Sequence, residues 1–316
     1  VAGPRLSADG RGGDRPQLTS RAGAEPTAAD LLGRCTFPPP GTDVVCAVSG
    51  GADSLALLVL AVAAGCRVTA VHVDHGLRPG SAAEADVVRD AAARFGAGFR
   101  AERAVVAPGP NLEARARAAR FAVLPSGVLT GHTADDQAET VLLNLMRGAG
   151  LDGLAGMEAT PRSGTQPAGH PILGLRRRET HALCRACGLE WVEDPSNADP
   201  AHRRNRVRTE LLPLLEDIAG RDLVPVLARQ ADVLRAEAAL LDALADAIEP
   251  SDARALGAAP LPLARRAARR WLTDGHPPDL ATVDRLLAVA RGEAKAADVG
   301  GGRRVVRSRG RLRLEP

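Results

Sequence analysis

The apolar run Val44-Val45-Cys46-Ala47-Val48 breaks into Ser49-Gly50-Gly51-Ala52-Asp53-Ser54 and resumes at once as the apolar stretch 55–64. A strand that turns through two glycines into a helix leaves backbone N–H groups at the positive end of the helix dipole, a place for an anion. Ser49 and Ser54 add hydroxyl donors, and Asp53 adds a carboxylate able to hold magnesium beside phosphates. A Walker loop needs a lysine after its last glycine, and none is here. Two readings follow: a phosphate cradle of another kind, or an ordinary tight strand-to-helix turn.

The alternation continues along the chain. A strand over 67–73 runs into Asp74-His75-Gly76-Leu77-Arg78, and a helix over about 82–95 leads to a strand near 99–106. A helix over 112–124 and a short strand over 127–130 then deliver His132-Thr133-Ala134-Asp135-Asp136-Gln137-Ala138-Glu139-Thr140, the front of a helix reaching Met146. Repeated strand–helix units of this kind predict an α/β fold, a doubly wound and mainly parallel sheet covered on both faces. In such sheets ligands bind at the carboxyl ends of the strands, where all three chemically loaded loops fall.

Further on, 148–156 reads as a glycine-punctuated loop, 178–187 as a helix, and 190–195 as a strand closing the sheet. From Arg206 the pattern is helical, over 210–218, 223–248, 262–272 and 280–290, and 298–314 suits a terminal β-hairpin. Residues 31–35 suit a short helix, while 1–28, rich in Gly, Pro and Arg without periodicity, read as a disordered tail. The expected division is therefore a tail over 1–28, a nucleotide-binding domain over 29–205 and an appended helical domain over 206–316.

Composition removes several chemistries. All 41 basic residues except Lys295 are arginines, and Lys295 lies in a polar stretch near the C-terminus, which argues against a buried amine nucleophile. Aromatic residues are 2% of the chain and tyrosine is absent, so base-stacking platforms are scarce and any nucleic-acid contact must rest on charge and shape. The 5 cysteines are odd in number and irregularly spaced, which predicts a reducing compartment and no disulfide framework. Cys184 and Cys187 form a lone C-x-x-C, read as small residues on a helix in preference to a zinc site. The longest apolar stretch, 55–64, is too short to span a bilayer and no signal peptide is visible, so a cytoplasmic protein without membrane contact is expected.

Asp136 and Glu139 are three apart on one helix, so their carboxylates share a face that could attract an ammonium, hold a metal or act as a base. The competing reading is capping, with Thr133 and Asp136 as a capping box. Arg117 and Arg120, also three apart, form either a solvated face or a guanidinium pair for phosphates. Three basic clusters, at 202–208, at Arg265, Arg266, Arg269 and Arg270, and at 303–313, point to a polyanion partner.

The ordered set SGGADS, HVDHGLR, NLEARARAARF, GHTADDQAETVLLNLMRGAGLDGLAGM and WVEDPSNADPAHRRNRVRTELLP resembles the tRNA(Ile)-lysidine synthetase family of PP-loop ATP pyrophosphatases, whose catalytic domain is adenine nucleotide alpha hydrolase-like. The resemblance covers about 43–215, and the remainder is similar to the shorter form of the family, with one appended helical domain. It implies that ATP adenylates the 2-oxo group of the wobble cytidine of a tRNA(Ile) with a CAU anticodon, and that free L-lysine displaces AMP to give lysidine. It further implies that Ser49, Gly50, Gly51, Ala52, Asp53 and Ser54 hold the phosphates, with Asp53 nearest Mg2+. His72 and Asp74 would flank the adenosine, and Asp136 and Glu139 would receive lysine. Arg117 matches the family's catalytic arginine, with Arg120 the other candidate, and Arg204, Asn205 and Arg208 would contact tRNA or the activated intermediate. Where the family often shows two histidines, this chain has His132-Thr133, so position 133 receives no role. A PP-loop tRNA thiolase, which would need reactive cysteines, and a non-catalytic nucleotide-binding module are the alternatives. Monomer and homodimer both stay open.

Overall fold

The computed structural model describes residues 25–74, 76, 81–107, 109, 112–160, 168–193, 199–275 and 277–316. Helix α1 (Ala28–Leu32) precedes a five-stranded parallel sheet built from β1 (Asp43–Ala47), β2 (Arg67–Asp74), β3 (Gly98–Arg103), β4 (Val128–Leu129) and β5 (Ala168–Gly169). The spatial order is β3-β2-β1-β4-β5, so the order reverses between β1 and β4. Such a switch point leaves a crevice beyond the strand ends.

Alternate side chains of β1 enter different cores, as the two-residue period of a strand requires. Val44 and Cys46 pack with Val68, Ala70 and the leucines of α2 (Ala52–Ala63), while Val45 and Ala47 pack with Val71, Phe121 and Leu124 on the opposite face. The sheet is thus covered on both sides, as the alternating pattern predicts. Leu55, Leu57, Leu58 and Leu60 of α2 are all fully buried, which explains why that helix is apolar around its whole circumference. Helix α3 (Ser81–Arg94) packs on the α2 face of the sheet and α4 (Leu112–Val123) on the opposite face; α5 (Ala134–Met146) follows β4.

Several expectations need correction. The strand over 190–195 is absent from its described part: Glu190 to Glu193 are not in a strand, and Val192 N–H donates to the Gly50 carbonyl at 3.0 Å. That bond ties the segment to the phosphate loop, and β5, paired with β4 through Val128–Ala168 and Leu129–Gly169, closes the sheet instead. The glycine-punctuated loop contains a short helix, α6 (Leu151–Leu154). The expected tail over 1–28 lies outside the described residues for 1–24, and Thr27 already caps α1 in a reciprocal capping box with Asp30.

Helix α7 (Arg177–Ala186) packs on α2. Beyond it, α8 (Arg203–Arg206), a π turn (Val207–Leu211) and α9 (Leu212–Ala219) form one continuous helical run. Val207 and Leu212, with Val224 of α10 (Val224–Asp246), share a core with Ala134, Ala138, Leu142 and Leu143 of α5. The 205/206 division therefore falls inside a helix that packs on the first layer.

A separate core, including Leu256, Leu272, Leu286, Val305 and Leu312, holds α11 (Ala253–Ala258), α12 (Leu261–Leu272), α13 (Leu280–Arg291) and a terminal sheet. That sheet has three antiparallel strands, β6 (Ala296–Gly300), β7 (Arg303–Ser308) and β8 (Arg311–Glu315), one more than the expected hairpin. The extra strand pairs Ala296 with Val306 and turns back through three glycines at positive φ, Gly300 to Gly302. No helix of the described residues is long and apolar enough to cross a membrane.

Candidate active site

The loop from β1 to α2 is shaped by its own hydroxyls. Ser49 N–H donates to Ser54 Oγ at 3.1 Å, and Ser54 Oγ donates to the Gly51 carbonyl at 2.8 Å. Gly50 sits at φ +88°, a conformation that glycine adopts without penalty, and Gly51 is an N-cap with no side-chain acceptor. The first N–H groups of α2 have no intrahelical acceptor and are available to an anion.

Around this cradle the structure gathers most of the residues singled out by sequence. His72 is 2% exposed; its Nδ1–H donates to the Val48 carbonyl at 3.1 Å, and its Nε2 has no partner. It braces Val48, the residue before the loop. Asp74 Oδ1 accepts the Gly76 N–H at 2.8 Å in a turn at the end of β2.

Asp136 bears out the capping reading of the acid pair and keeps its second oxygen outside the cap. Asp136 Oδ2 accepts the Thr133 N–H and hydroxyl, each at 2.9 Å, completing the cap of α5. Its Oδ1 faces the other way and accepts Arg177 Nη2–H at 2.9 Å. Arg177 also reaches Asp53 through Nε and Glu139 through Nη1, both at 3.3 Å. One guanidinium thus joins Asp53, the acid that follows β1, to Asp136 and Glu139 of α5. Glu139 is 1% exposed and is further held by Arg208 Nε at 2.7 Å and Arg204 Nε at 3.1 Å. Arg204 and Arg208 reach it from one side of the helix that the π turn interrupts, and such turns recur where side chains must be aimed. Asn205 holds the preceding loop by donating to the Asp199 carbonyl at 2.8 Å.

These contacts set the charges. Burial pushes the Asp136 carboxyl up, but Arg177, then His132 and Arg204, outweigh it and hold it at about 2. Burial, reinforced by the Asp136 charge, raises Asp53 above the usual carboxylate range despite the Thr180 hydroxyl and Arg177. Burial opposes the Arg177 charge, and Asp136, Glu139 and Asp53 overcome it to keep that guanidinium firmly protonated.

A histidine pair, His170 buried and His132 half-buried, lies near Asp136. Thr130 Oγ is 2.8 Å from His132 Nδ1 and 2.6 Å from His170 Nδ1, and the two nitrogens are 3.1 Å apart. Burial above all, with help from the Arg117 charge, pushes His132 down to about 3 and His170 to about 4. Arg117 and Arg120 both lie over the Phe121 ring, with guanidinium carbons 5.0 and 5.3 Å from the ring centre. Neither geometry selects one of them as the catalytic arginine.

Sequence reasoning missed Arg177 and Thr180, whose hydroxyl donates to Asp53 Oδ1. A signal was available: Arg176, Arg177 and Arg178 open α7, where cations oppose the helix dipole. Such a run needs acids elsewhere in the fold, and Asp135, which accepts Arg176 Nε–H at 3.0 Å, is one. Of the basic cluster on α12, Arg265, Arg266 and Arg270 are engaged internally with Asp284, Asp242 and Asp246.

Asp53 offers one carboxylate beside the cradle, and magnesium commonly takes one or two protein carboxylates together with substrate phosphates. Among the described residues no group of three or more His, Cys, Asp and Glu is placed to hold a metal alone. The donor set therefore suits a metal that arrives with a nucleotide.

A lysine-free phosphate loop at the switch point of a parallel sheet, with an acid on its helix, defines a PP-loop nucleotide-binding protein. The profile of the family described as the PP-loop domain matches residues 26–215. The chain is 45% identical over 300 residues to the tRNA(Ile)-lysidine synthase of Nocardia farcinica, covering 88% of this chain and 93% of that one. It is 43% identical over 296 residues to that of Rhodococcus erythropolis, covering 87% and 90%. The chain belongs to the tRNA(Ile)-lysidine synthase family of enzymes. The fold is shared with the U34-tRNA thiolase NcsA of Methanococcus maripaludis, at a TM-score of 0.51 and 17% identity over 66% of this chain and 77% of that one.

Proposed function

We propose that the chain ligates free L-lysine to the wobble cytidine of a tRNA(Ile) with a CAU anticodon. In the first step the cytidine 2-oxo oxygen attacks the α-phosphorus of ATP; an O–P bond forms, the bond to the β-phosphate oxygen breaks and pyrophosphate leaves. In the second step lysine Nζ, after losing a proton, attacks C2; the C2–O bond breaks and AMP departs with that oxygen. The product base pairs with A in place of G, which changes decoding from AUG to AUA.

The observation that carries this reading is the Asp136–Glu139 carboxylate pair, joined through Arg177 to Asp53 of the phosphate loop. Paired acids select an ammonium, and their closeness to the cradle brings an amine to the atom that ATP activates. Loop residues 49–54 bind the phosphates. Asp53 would hold Mg2+, which neutralises phosphate charge as pyrophosphate leaves. Arg117 or Arg120 stabilises the developing negative charge. Arg204 and Arg208 orient Glu139, and together with Asn205 they meet the tRNA. Residues 206–316 supply the remaining tRNA surface through charge and shape.

The thiolase alternative fits less well. Cys184 is fully buried, its thiol donates to the Ala52 carbonyl at 3.3 Å, and burial pushes it up to about 12. A nucleophilic thiolate needs the opposite environment. The test is incubation with ATP, Mg2+, labelled lysine and the CAU-anticodon tRNA(Ile). Label in the tRNA is expected; a tRNA that accepts lysine from another family member but not from this protein overturns the reading.

A further inference from the structure

Arg177 is the cation that the lysine site already contains. Each of its three guanidinium nitrogens meets a different carboxylate: Nε meets Asp53, Nη1 meets Glu139 and Nη2 meets Asp136. The other two arginines of the cluster lack this reach. Arg204 and Arg208 make their short acid contacts with Glu139, and Arg208 stands 3.7 Å from Asp136. Three acids thus face three guanidiniums in a pocket where Asp136 is 8% and Glu139 1% exposed. Adding a further ammonium to a buried cluster that is already neutral costs desolvation without a new opposite charge. An incoming amine must therefore take the place of a cation, and Arg177 is the one that spans the site.

We infer that Arg177 is an ordering residue: it occupies the amine site in the nucleotide-free protein and gives up Asp136 and Glu139 when a magnesium nucleotide claims Asp53. This rests on the lysine reading above and deepens it. The coupling is geometric. Asp53 is both the acid available to a nucleotide-borne metal and one of the three anchors of the Arg177 fork, so a divalent ion there removes an anchor and repels the guanidinium, while nucleotide phosphates offer it new acceptors. Thr180, one turn along α7 from Arg177, also bonds Asp53, which fixes the acid and the arginine to the same helix. Lysine binding then follows nucleotide binding, so the amine enters only when an activated base can form.

If the internal arginine fills the site about 90–99% of the time, it lowers the apparent affinity for lysine about 10- to 100-fold. The experiment is calorimetric titration of L-lysine into the full chain, alone and with α,β-methylene-ATP, with Mg2+ or with EDTA. Lysine affinity is expected to rise at least about tenfold with the magnesium analogue and to stay unchanged with EDTA. By linkage, lysine must tighten binding of the magnesium analogue by the same factor. In Arg177→Gln, nucleotide-free lysine affinity is expected to approach that of the loaded wild type, with the gain from nucleotide shrinking to less than about twofold. Thermal unfolding of that variant should be rescued by lysine alone. Arg177→Lys, which keeps the charge but not the fork, should fall between the two.

Wild-type lysine affinity that is indifferent to the magnesium analogue overturns the inference, even if Arg177→Gln does not fold. So does a folded Arg177→Gln that binds lysine no more tightly than wild type without nucleotide. Labelled lysine that enters tRNA while its affinity ignores nucleotide removes the ordering role alone; lysine that binds in no state and enters no tRNA removes the lysine reading with it.

Discussion

Gly131 lies against the backbone of Asp53: a Cβ at position 131 would stand 2.7 Å from the Asp53 carbonyl oxygen and 3.0 Å from Ser54 Cα. The end of β4 thus passes directly over the first turn of α2. That approach brings the loop carrying His132 and Thr133 next to the phosphate cradle. Because the neighbour is backbone, neither side can yield without moving the cradle. Gly131→Ala is expected to destabilise the protein by about 1–3 kcal/mol, the range for overpacking. It should also weaken nucleotide binding, since Asp53 must shift. Urea unfolding together with titration of a fluorescent ATP analogue checks both.

Asp136→Asn and Glu139→Gln separate binding from folding. The first keeps an oxygen for the Thr133 cap but removes a charge facing Arg177, so lysine KM should rise at least about tenfold while ATP KM stays within about twofold. Glu139→Gln leaves Arg177, Arg204 and Arg208 without their shared acid, and breaking a buried pair costs about 3–5 kcal/mol. Steady-state kinetics and denaturant melts measure the two effects. Unchanged lysine dependence in Asp136→Asn would detach that carboxylate from the amine site.

The histidine pair predicts acid sensitivity. His132 and His170 have folded pKa values of about 3 and about 4, depressed from the ordinary 6.5 by burial. The folded state therefore binds fewer protons than the unfolded chain below pH 6.5. Stability is complete above that pH and is lost as pH falls toward 4, with a slope of up to about 1.4 kcal/mol per pH unit for each histidine. His170→Asn, which keeps a polar atom near Thr130, should reduce the slope between pH 6 and 4 by about half. Unfolding free energies measured across that range decide it.

Removing both thiols of the C-x-x-C tests the sulfur alternative. Cys184 and Cys187 are both pushed up by burial, and neither is in a position to act as a thiolate at neutral pH. The double substitution Cys184→Ala with Cys187→Ala should lower stability by about 1–2 kcal/mol through lost packing. Lysine transfer to tRNA should remain within about twofold. A loss of transfer greater than tenfold with the fold intact would restore a role for sulfur.

The doubly wound sheet was legible in the sequence because both its determinants are local: the period of apolar residues in 44–48 and 67–73, and the glycine turn that follows the first of them. The shape of that turn was legible for the same reason, since Gly50 takes its φ of +88° freely and the two serines that hold the turn, Ser49 and Ser54, lie within the same six residues. So was the shared face of Asp136 and Glu139, which follows from helix geometry alone. The strand expected over 190–195 failed because a short strand-like pattern does not announce its hydrogen-bond partner. Val192 bonds Gly50, and two residues outside any expected strand, Ala168 and Gly169, pair with β4 instead.

Arg177 marks the limit most clearly. In the sequence it is one of three arginines in a row, and its distance along the chain from Asp53 and from the α5 acids conceals that it touches all of them. Local chemistry marked a strand-to-helix turn open to an anion and a helix face carrying two carboxylates. Only the tertiary structure decided that a single guanidinium joins those two places, because ion pairing between distant residues depends on how α2, α5 and α7 pack, and packing is not written in any one segment.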